Sequence, residues 1–254
     1  MQPIREQKLV SVLGQIVFDQ IPNFKDHLND VKKAFIDTKF NQFGELEFLS
    51  PDGLVIPLEN VPDIYKGSIA YTSDQKRSIT FAQSNCTYQV ASYSSFKDFL
   101  SEFLGILSKY SELLKEKNQN LYIRRIGLRY SYTRALEELA THISSSCFDG
   151  FDKFKAESIV NAFTSTDYSF EDDIRLSVKS HKNNLGISLP VGINNSKLIF
   201  DVTHNSSKNF LILDFDCVKL SNFGCIEIKD LEVIVNKQHG IIKSAVDLAL
   251  CCNG

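Results

Sequence analysis

Short apolar stretches separated by turn residues recur along this chain of 254 residues, and no other feature constrains its fold as strongly. In the first half these stretches are residues 43–49, 54–58, 67–71, 78–82 and 87–93. Each is long enough for one strand, and the connections between them are too short to hold crossover helices. The pattern therefore predicts an antiparallel sheet rather than parallel βαβ units.

Strands are also predicted at the start of the chain and throughout its second half. Residues 9–19 are rich in Val, Ile and Leu, which is typical of a buried strand. A polar connection at 115–120 separates the first half from a long predicted strand at 121–133. A loop-rich stretch at 135–160 comes next, and the predicted strands that follow it are 174–180, 185–191, 197–204 and 209–218.

Helices are predicted at 24–36, 96–116 and 231–250, where apolar residues recur at helical spacing. Ser95 and Asp98 stand three residues apart at the start of the middle helix, as in a capping box with Asp in place of Glu. The apolar stripe of this helix is wide, whereas a coiled coil shows a narrower seam with charged flanks. A stripe of this width is typical of a helix that lies flat on a sheet.

The two halves of the chain, 1–118 and 119–254, have the same predicted order of elements: a strand, an optional helix, about four strands and a long helix. No residue identity between the halves is visible, so the comparison depends on this order alone. We predict one structural unit spanning 1–254, of α+β class, in which two pseudo-repeated β-α-β4-α halves join their strands into one antiparallel sheet. The long helices are predicted to pack on one face of that sheet.

The charge of the chain is small and evenly distributed. The formal net charge is −3, with 13 Lys and Arg against 15 Asp and Glu in residues 1–120 and 15 against 16 in residues 121–254. Proteins that bind nucleic acids neutralise phosphates with basic patches, and this sequence has no basic block of that kind. Charge therefore gives no support to nucleic-acid binding. No apolar run approaches the ~20 residues of a membrane span, so no membrane association is predicted.

Six cysteines are scattered through the chain without C-x-x-C spacing, at Cys86, Cys147, Cys217, Cys225, Cys251 and Cys252. The first residues, MQPIREQKLV, are charged and lack the apolar core of a signal peptide. Together these features predict reduced thiols in a cytoplasmic protein. The final pair of cysteines is open to lipidation or metal binding, but the apolar end of a helix is the simpler interpretation.

Charged side chains that need an explanation lie on two predicted strands. Alternation along the strand at 121–133 places Arg125 and Arg129 on the face opposite its apolar residues. Alternation along the last strand does the same for Asp214 and Asp216. One interpretation is a polar groove in which the arginines bind phosphate or carboxylate and the aspartates hold a divalent metal. The other is cross-strand Arg–Asp pairing that fixes sheet register, and the isolated D-x-D spacing favours this second interpretation.

The histidines and loop residues offer no strong catalytic motif. The sequence has no metal-binding histidine spacing, P-loop, dinucleotide-binding glycine motif or nucleophile elbow. His239 on the last helix could serve as a general base, but a histidine that contacts the sheet is the commoner arrangement. Cys147 with His142 is a weak nucleophile–base pair. His204 is assigned to a loop, and the acidic run at 171–173 is typical of a solvated turn.

Three stretches of the chain resemble one known family. RRIGLRYSYT at 124–133 is similar to the family's central segment, and FLILDFD at 210–216 is similar to its late strand. The stretch 231–250 resembles its last helix, and His239 occupies the family's histidine position. Over essentially its whole length the chain resembles a sporadically distributed prokaryotic family of uncharacterised proteins.

The chain departs from the family pattern at two places. Phe96 stands where the family often has Trp, and Ala245 or Val246 stands where it often has Phe. The resemblance implies no activity. The patchy occurrence of the family is similar to that of mobile defence or toxin–antitoxin genes, which is an association rather than a mechanism.

We predict a non-enzymatic binding or assembly protein, of the kind that forms part of a prokaryotic defence or toxin–antitoxin-type module. Its partner is predicted to be a protein encoded by a neighbouring gene, and no catalytic residue, metal or cofactor is predicted. The alternative is a phosphate- or nucleotide-handling enzyme or sensor that uses Arg125, Arg129, Asp214 and Asp216. His239 is a further candidate binding residue.

A third hypothesis, the least favoured, is binding of single-stranded nucleic acid on the sheet. Tyr130 and Tyr132 alternate along the strand at 121–133, and exposed aromatic rings are the usual stacking platforms for bases. Such binding would weaken steeply with salt.

Overall fold

A single antiparallel sheet of nine strands organises the computed structural model of this protein. The structure describes residues 8–45, 48–49, 55–56, 67–135, 161–183, 198–199, 210–221 and 225–251. In the first half of the chain the strands are β1 (Lys8–Phe18), β2 (Gln42–Glu45), β3 (Phe48–Leu49), β4 (Val55–Ile56), β5 (Gly67–Tyr71), β6 (Arg77–Ala82) and β7 (Asn85–Val90). In the second half they are β8 (Ile123–Ala135), β9 (Asn161–Ser169), β10 (Ile174–Asn183) and β11 (Phe210–Leu220).

Three long helices accompany the strands in the described part of the chain. They are α1 (Phe24–Ile36), α2 (Phe96–Glu116) and α3 (Leu231–Cys251). A short 3-10 turn, Ile228–Asp230, leads directly into α3. All three helices begin at the predicted residue, where the apolar periodicity of each begins.

The strands lie in the order β2-β5-β6-β7-β1-β8-β11-β10-β9, and every neighbouring pair is antiparallel. The pair β1–β8 lies in the middle and joins the strands of the two halves of the chain. The small hairpin β3–β4 forms a separate two-stranded sheet. The predicted α+β class with one antiparallel sheet is therefore confirmed.

Two strands predicted in the second half lie wholly or mostly outside the described residues. The predicted strand at 185–191 lies outside the described residues. Of the predicted strand at 197–204, only Leu198 and Ile199 are described, and they belong to no strand. The sequence does not predict β9, because its residues NAFTSTDYS show no apolar alternation. Pairing with β10 over nine consecutive residues holds β9 in the sheet.

Helix α2 packs closely on β1 because Gly14 leaves room for it. A Cβ atom added at Gly14 would lie 2.9 Å from the ring of Phe103. Phe103 is fully buried and stacks against Tyr88 of β7, with 6.4 Å between the ring centroids. Ser95 caps this helix by accepting a hydrogen bond from the backbone N–H of Asp98 at 3.1 Å, which confirms the predicted cap.

Helix α3 is attached to the sheet through a buried amide. The Gln238 Nε2 atom donates to the backbone carbonyls of Ile126 in β8 and Cys217 in β11, each at 3.0 Å. Gln238 has no exposed surface. Helix α1 contributes Phe35, whose ring lies 5.3 Å from that of Phe81 in β6. These contacts build one hydrophobic core from the helices and the central strands.

The turn between β9 and β10 contains two residues in the left-handed region, Asp172 with φ 60° and Asp173 with φ 57°. Asp173→Gly is expected to raise the free energy of unfolding by about 0.5–1 kcal/mol, because glycine adopts positive φ without a steric cost. Urea unfolding monitored by circular dichroism measures this gain. Asp172→Gly is the comparison, since it also removes the ion pair of Asp172 with Lys237 at 2.6 Å and should gain less. A loss of stability in Asp173→Gly would contradict the described turn.

Candidate functional site

The charged residues singled out in the sequence lie on the sheet face opposite α3. Tyr130 of β8 points toward α3, where its hydroxyl lies 2.8 Å from Nδ1 of His239. Successive side chains of a strand point to opposite faces, so Arg129 and Arg125 lie on the other side of the sheet. In β11, Asp214 and Asp216 share that side, because they bond or lie close to these two arginines. We call this surface, defined by Arg125, Arg129, Asp214 and Asp216, the Arg–Asp face.

Arg129 and Asp214 form a two-bond ion pair between adjacent strands. Arg129 donates from Nε to Oδ1 and from Nη2 to Oδ2 of Asp214, both at 2.7 Å. Ser131 also donates to Oδ1, at 3.2 Å. The side chain of Asp214 is 1% exposed and that of Arg129 is 14% exposed. Parallel bonds of this kind are the strongest form of carboxylate recognition, and here both partners belong to the sheet itself.

Arg125 and Asp216 are less tightly coupled. The Nη2 atom of Arg125 lies 3.8 Å from Oδ2 of Asp216, while its Nη1 donates to Oε1 of Gln15 at 2.9 Å. Gln15 in turn donates to the hydroxyl of Thr87 at 3.0 Å, so polar contacts run from β8 through β1 to β7. The side chains of Arg125 and Asp216 are 31% and 25% exposed. These two residues are therefore the accessible part of the Arg–Asp face.

Burial raises the pKa of Asp216, and the nearby charges of Arg129 and Arg125 only partly offset this effect. Because the folded-state pKa lies above that of the unfolded chain, folding binds a proton between the two values, and stability falls as pH rises through the folded-state pKa. Asp216→Asn removes this dependence. We expect the stability of wild type relative to Asp216→Asn to increase as pH falls from neutral toward 4, measured by urea unfolding at several pH values. A relative stability that decreases over this range would contradict the raised pKa.

His239 lies apart from the Arg–Asp face, on the side of the sheet that faces α3. Its ring stacks on Phe96 at the start of α2, with 3.8 Å between centroids and 7° between planes. Burial, and then the charge of Lys243, lowers the pKa of His239. The structure thus brings together four of the five predicted site residues and separates the fifth. The contacts of His239 are those of a histidine that joins α2, α3 and β8.

The two tyrosines considered for nucleic-acid binding are on the α3 side of the sheet as well. Tyr130 is 3% exposed, and its hydroxyl is bonded to His239. Tyr132 is partly buried and packs edge-on against Phe215, with ring centroids 6.0 Å apart. A base needs an open ring face to stack on, so Tyr130 cannot provide the platform that this hypothesis requires.

The described residues offer no metal site, and two of the cysteines are buried. Within the described parts of the chain, no three His, Cys, Asp or Glu side chains are grouped so that they could hold a metal ion. Cys86 and Cys217 are buried, and burial raises the pKa of the Cys217 thiol to about 12, which disfavours the reactive thiolate. Residues 142, 147, 204 and 252 lie outside the described residues. Among the described helices none is long and apolar enough to cross a membrane.

Sequence reasoning missed a second charged cluster, on the helix side of the sheet. Glu102 of α2 forms an ion pair with Lys39 and accepts a hydrogen bond from the Tyr88 hydroxyl. The Nε atom of Arg77 lies 3.5 Å from Oε2 of Glu102. Burial opposes ionisation of Glu102, but the bonds from Lys39 and Tyr88 outweigh it and lower its pKa. No signal in the sequence reveals this cluster, because its four members come from α2, β6, β7 and the connection after α1.

The same elements carry the family resemblance. The stretch at 124–133 lies in β8, the one at 210–216 lies in β11, and the one at 231–250 lies in α3, which is bonded to both strands through Gln238. The resemblance itself stays a prediction. No protein-family model and no curated protein matches this chain.

Proposed function

We propose that this protein is a non-enzymatic binding and assembly protein, and that its partner adds a strand to the edge of the sheet at β9. The observation that carries the proposal is the exposure of this edge. β9 is the outermost strand at its end of the described sheet, and every residue from 165 to 170 is exposed. Its nine residues include one charged side chain, Asp167, and neither proline nor lysine. Exposed edges are usually protected by such residues, and edges that lack them accept another strand.

The backbone pattern of β9 indicates which groups face outward. The N–H of Phe170 donates to the carbonyl of Ile174 in the adjoining turn, at 2.8 Å. Hydrogen-bonding direction alternates along an antiparallel strand, so the N–H groups of Thr166 and Tyr168 point toward β10. Those of Ser165 and Asp167 then point away from the sheet. An added strand would bond to these outward groups.

The order of the strands supports the pseudo-repeat and indicates where a further strand could pair with β9. On one side of the central pair the order from β1 is β7, β6, β5 and then β2, and on the other side the order from β8 is β11, β10 and β9. We propose that the halves correspond in this way, with their long helices on one face of the sheet. β9 then corresponds to β5. Since β2 covers β5 and no described strand covers β9, a partner strand would occupy the position equivalent to β2.

The Arg–Asp face supports a structural rather than a catalytic role for its innermost residues. Both carboxylate oxygens of Asp214 accept bonds from Arg129, so this buried carboxylate is already occupied and poorly placed to bind a substrate or a metal. A catalytic acid or base needs contact with a reacting group. This arrangement favours the interpretation that the charges fix the register of β8 against β11.

Co-expression with the products of neighbouring genes tests the proposal. An affinity-tagged chain should recover a partner in stoichiometric amounts, either a neighbouring gene product or an untagged copy of this chain. Ser165→Pro should reduce the recovery about tenfold, because proline removes an outward N–H while leaving the bonds to β10. Glu45→Pro, in the opposite edge strand β2, is the matched control, because the same alternation directs the Glu45 N–H away from β5, and it should leave recovery unchanged. A chain that remains alone and monomeric would remove the proposal. Recovery of a partner from a defence or toxin–antitoxin module would assign the biological setting.

The second candidate is a sensor of phosphate groups or nucleotides, favoured by the partial exposure of Arg125. Calorimetric titration with nucleotides, with and without Mg²⁺ or Mn²⁺, distinguishes the two proposals. The assembly proposal predicts no binding. Saturable binding that Arg125→Ala abolishes, with the fold intact by circular dichroism, would establish the sensor instead.

A further inference from the structure

We infer that the strand added at β9 comes from a second copy of this chain, which pairs antiparallel through its own β9 about a twofold axis at Thr166. This inference rests on the proposed function, since it identifies the partner at the same edge. The result would be one continuous sheet through two copies. Three features support it: the outward backbone groups of β9, the charges beside them, and the fact that such pairing ends at two copies.

The outward backbone groups of β9 are self-complementary. With the axis at Thr166, Ser165 of one copy lies opposite Asp167 of the other, and the same pair recurs on the other side of the axis. Both residues direct their N–H and C=O groups outward, so each pair can exchange two hydrogen bonds. Thr166 lies opposite itself at a position without hydrogen bonds. The antiparallel pairing therefore satisfies the exposed groups without a shift in register.

The charge of Asp167 disfavours a neighbouring register and is compatible with this one. An axis at Asp167 would place two carboxylates directly opposite each other, which destabilises a strand pair. With the axis at Thr166, Asp167 faces the small hydroxyl of Ser165 instead. Lys179 of β10 is the cross-strand neighbour of Ser165, so Lys179, Ser165 and Asp167 of the second copy form one row on the same face of the sheet. This row brings a positive and a negative side chain of different copies toward each other.

Pairing of β9 with β9 gives a closed dimer, which favours it over pairing of β9 with the other edge strand, β2. An interface between β9 and β2 would join unlike surfaces and would leave a free edge at each end, so it would extend into a filament. β2 is also only four residues long, against nine in β9. Pairing of β9 with itself uses the longer edge once in each copy and ends at a dimer.

Substitutions at Ser165 with opposite charges test the pairing. Sedimentation equilibrium of the full chain should give the mass of a dimer. Ser165→Asp should raise the dimer dissociation constant about tenfold or more, because the new carboxylate faces Asp167 of the second copy at two symmetric positions. Ser165→Lys should leave the dissociation constant equal or lower it, because the new ammonium group faces the same carboxylate. Within one copy the neighbour of residue 165 is Lys179. The new carboxylate of Ser165→Asp would therefore favour the fold of each copy while it weakens the dimer, and the new ammonium group of Ser165→Lys would do the reverse.

Two outcomes would overturn the inference. One is a wild-type chain that stays monomeric at about 100 μM, and the other is a Ser165→Asp variant that dimerises as tightly as Ser165→Lys. The proposed function is tested separately by recovery of a neighbouring gene product. A monomeric chain that still recovers such a partner, and loses it in Ser165→Pro, would refute the second copy and support assembly at β9. Failure of both measurements would refute both.

Discussion

Arg129→Met is expected to lower the free energy of unfolding by about 3–5 kcal/mol, because it leaves the buried carboxylate of Asp214 without its cation. Asp214 is 1% exposed, so water cannot replace the two bonds that Arg129 supplies. Methionine retains most of the length of the side chain, which limits the effect of lost packing. Urea unfolding at neutral pH measures the loss.

A matched pair elsewhere in the fold provides the control. Arg124 makes the same two-bond contact with Asp19, at 2.8 and 2.6 Å, but their side chains are 46% and 48% exposed. Arg124→Met should therefore lower the free energy of unfolding by only a small fraction of the amount expected for Arg129→Met. The double variant Arg129→Met with Asp214→Leu should recover most of the stability, because it leaves no buried charge. If Arg129→Met is as mild as Arg124→Met, the Arg129–Asp214 pair is not structural and the sensor proposal gains support.

Gly14→Ala is expected to lower the free energy of unfolding by about 1–3 kcal/mol, as overpacking of a buried site does. The added methyl group would lie 2.9 Å from the ring of Phe103, closer than van der Waals contact allows. The Phe103 ring cannot move aside easily, because Tyr88 and Phe99 stack against it. The change would therefore displace α2 from β1, and thermal unfolding reports the cost.

The comparison for this prediction is a glycine in the same helix with open space around it. A Cβ atom at Gly105 of α2 would meet no atom within 4 Å. Gly105→Ala should raise the free energy of unfolding by up to about 1 kcal/mol, because alanine has the higher helix propensity. Equal effects of Gly14→Ala and Gly105→Ala would mean that α2 does not lie against β1 at Gly14.

The sequence predicts those parts of the fold that local periodicity determines. The apolar stripe of α2 and its cap at Ser95 define that helix from end to end. Alternation along β8 is sufficient to place Arg125 and Arg129 on the face away from the core. The isolated D-x-D spacing favours Arg–Asp pairing over a metal groove, and the observed contact of Arg129 with Asp214 has the predicted chemistry.

Features that depend on long-range partners could not be predicted. β9 has a polar sequence, and only its pairing with β10 makes it a strand. The Glu102 cluster joins residues up to 63 positions apart, so no spacing rule reveals it. The partner of His239 is Tyr130, 109 positions away, and their contact depends on how α3 crosses the sheet. Such contacts follow from the packing of whole elements rather than from local pattern.

Residue-resolved amide exchange in β9 tests most directly whether this edge is the binding surface. In the isolated chain, the amides of Thr166 and Tyr168 should exchange slowly because they bond to β10, while those of Ser165 and Asp167 exchange rapidly. In the assembled protein all four should exchange slowly, since the added strand bonds to the outward groups. Rapid exchange of Ser165 and Asp167 in the assembled protein, with Thr166 and Tyr168 still protected, would contradict strand addition at β9.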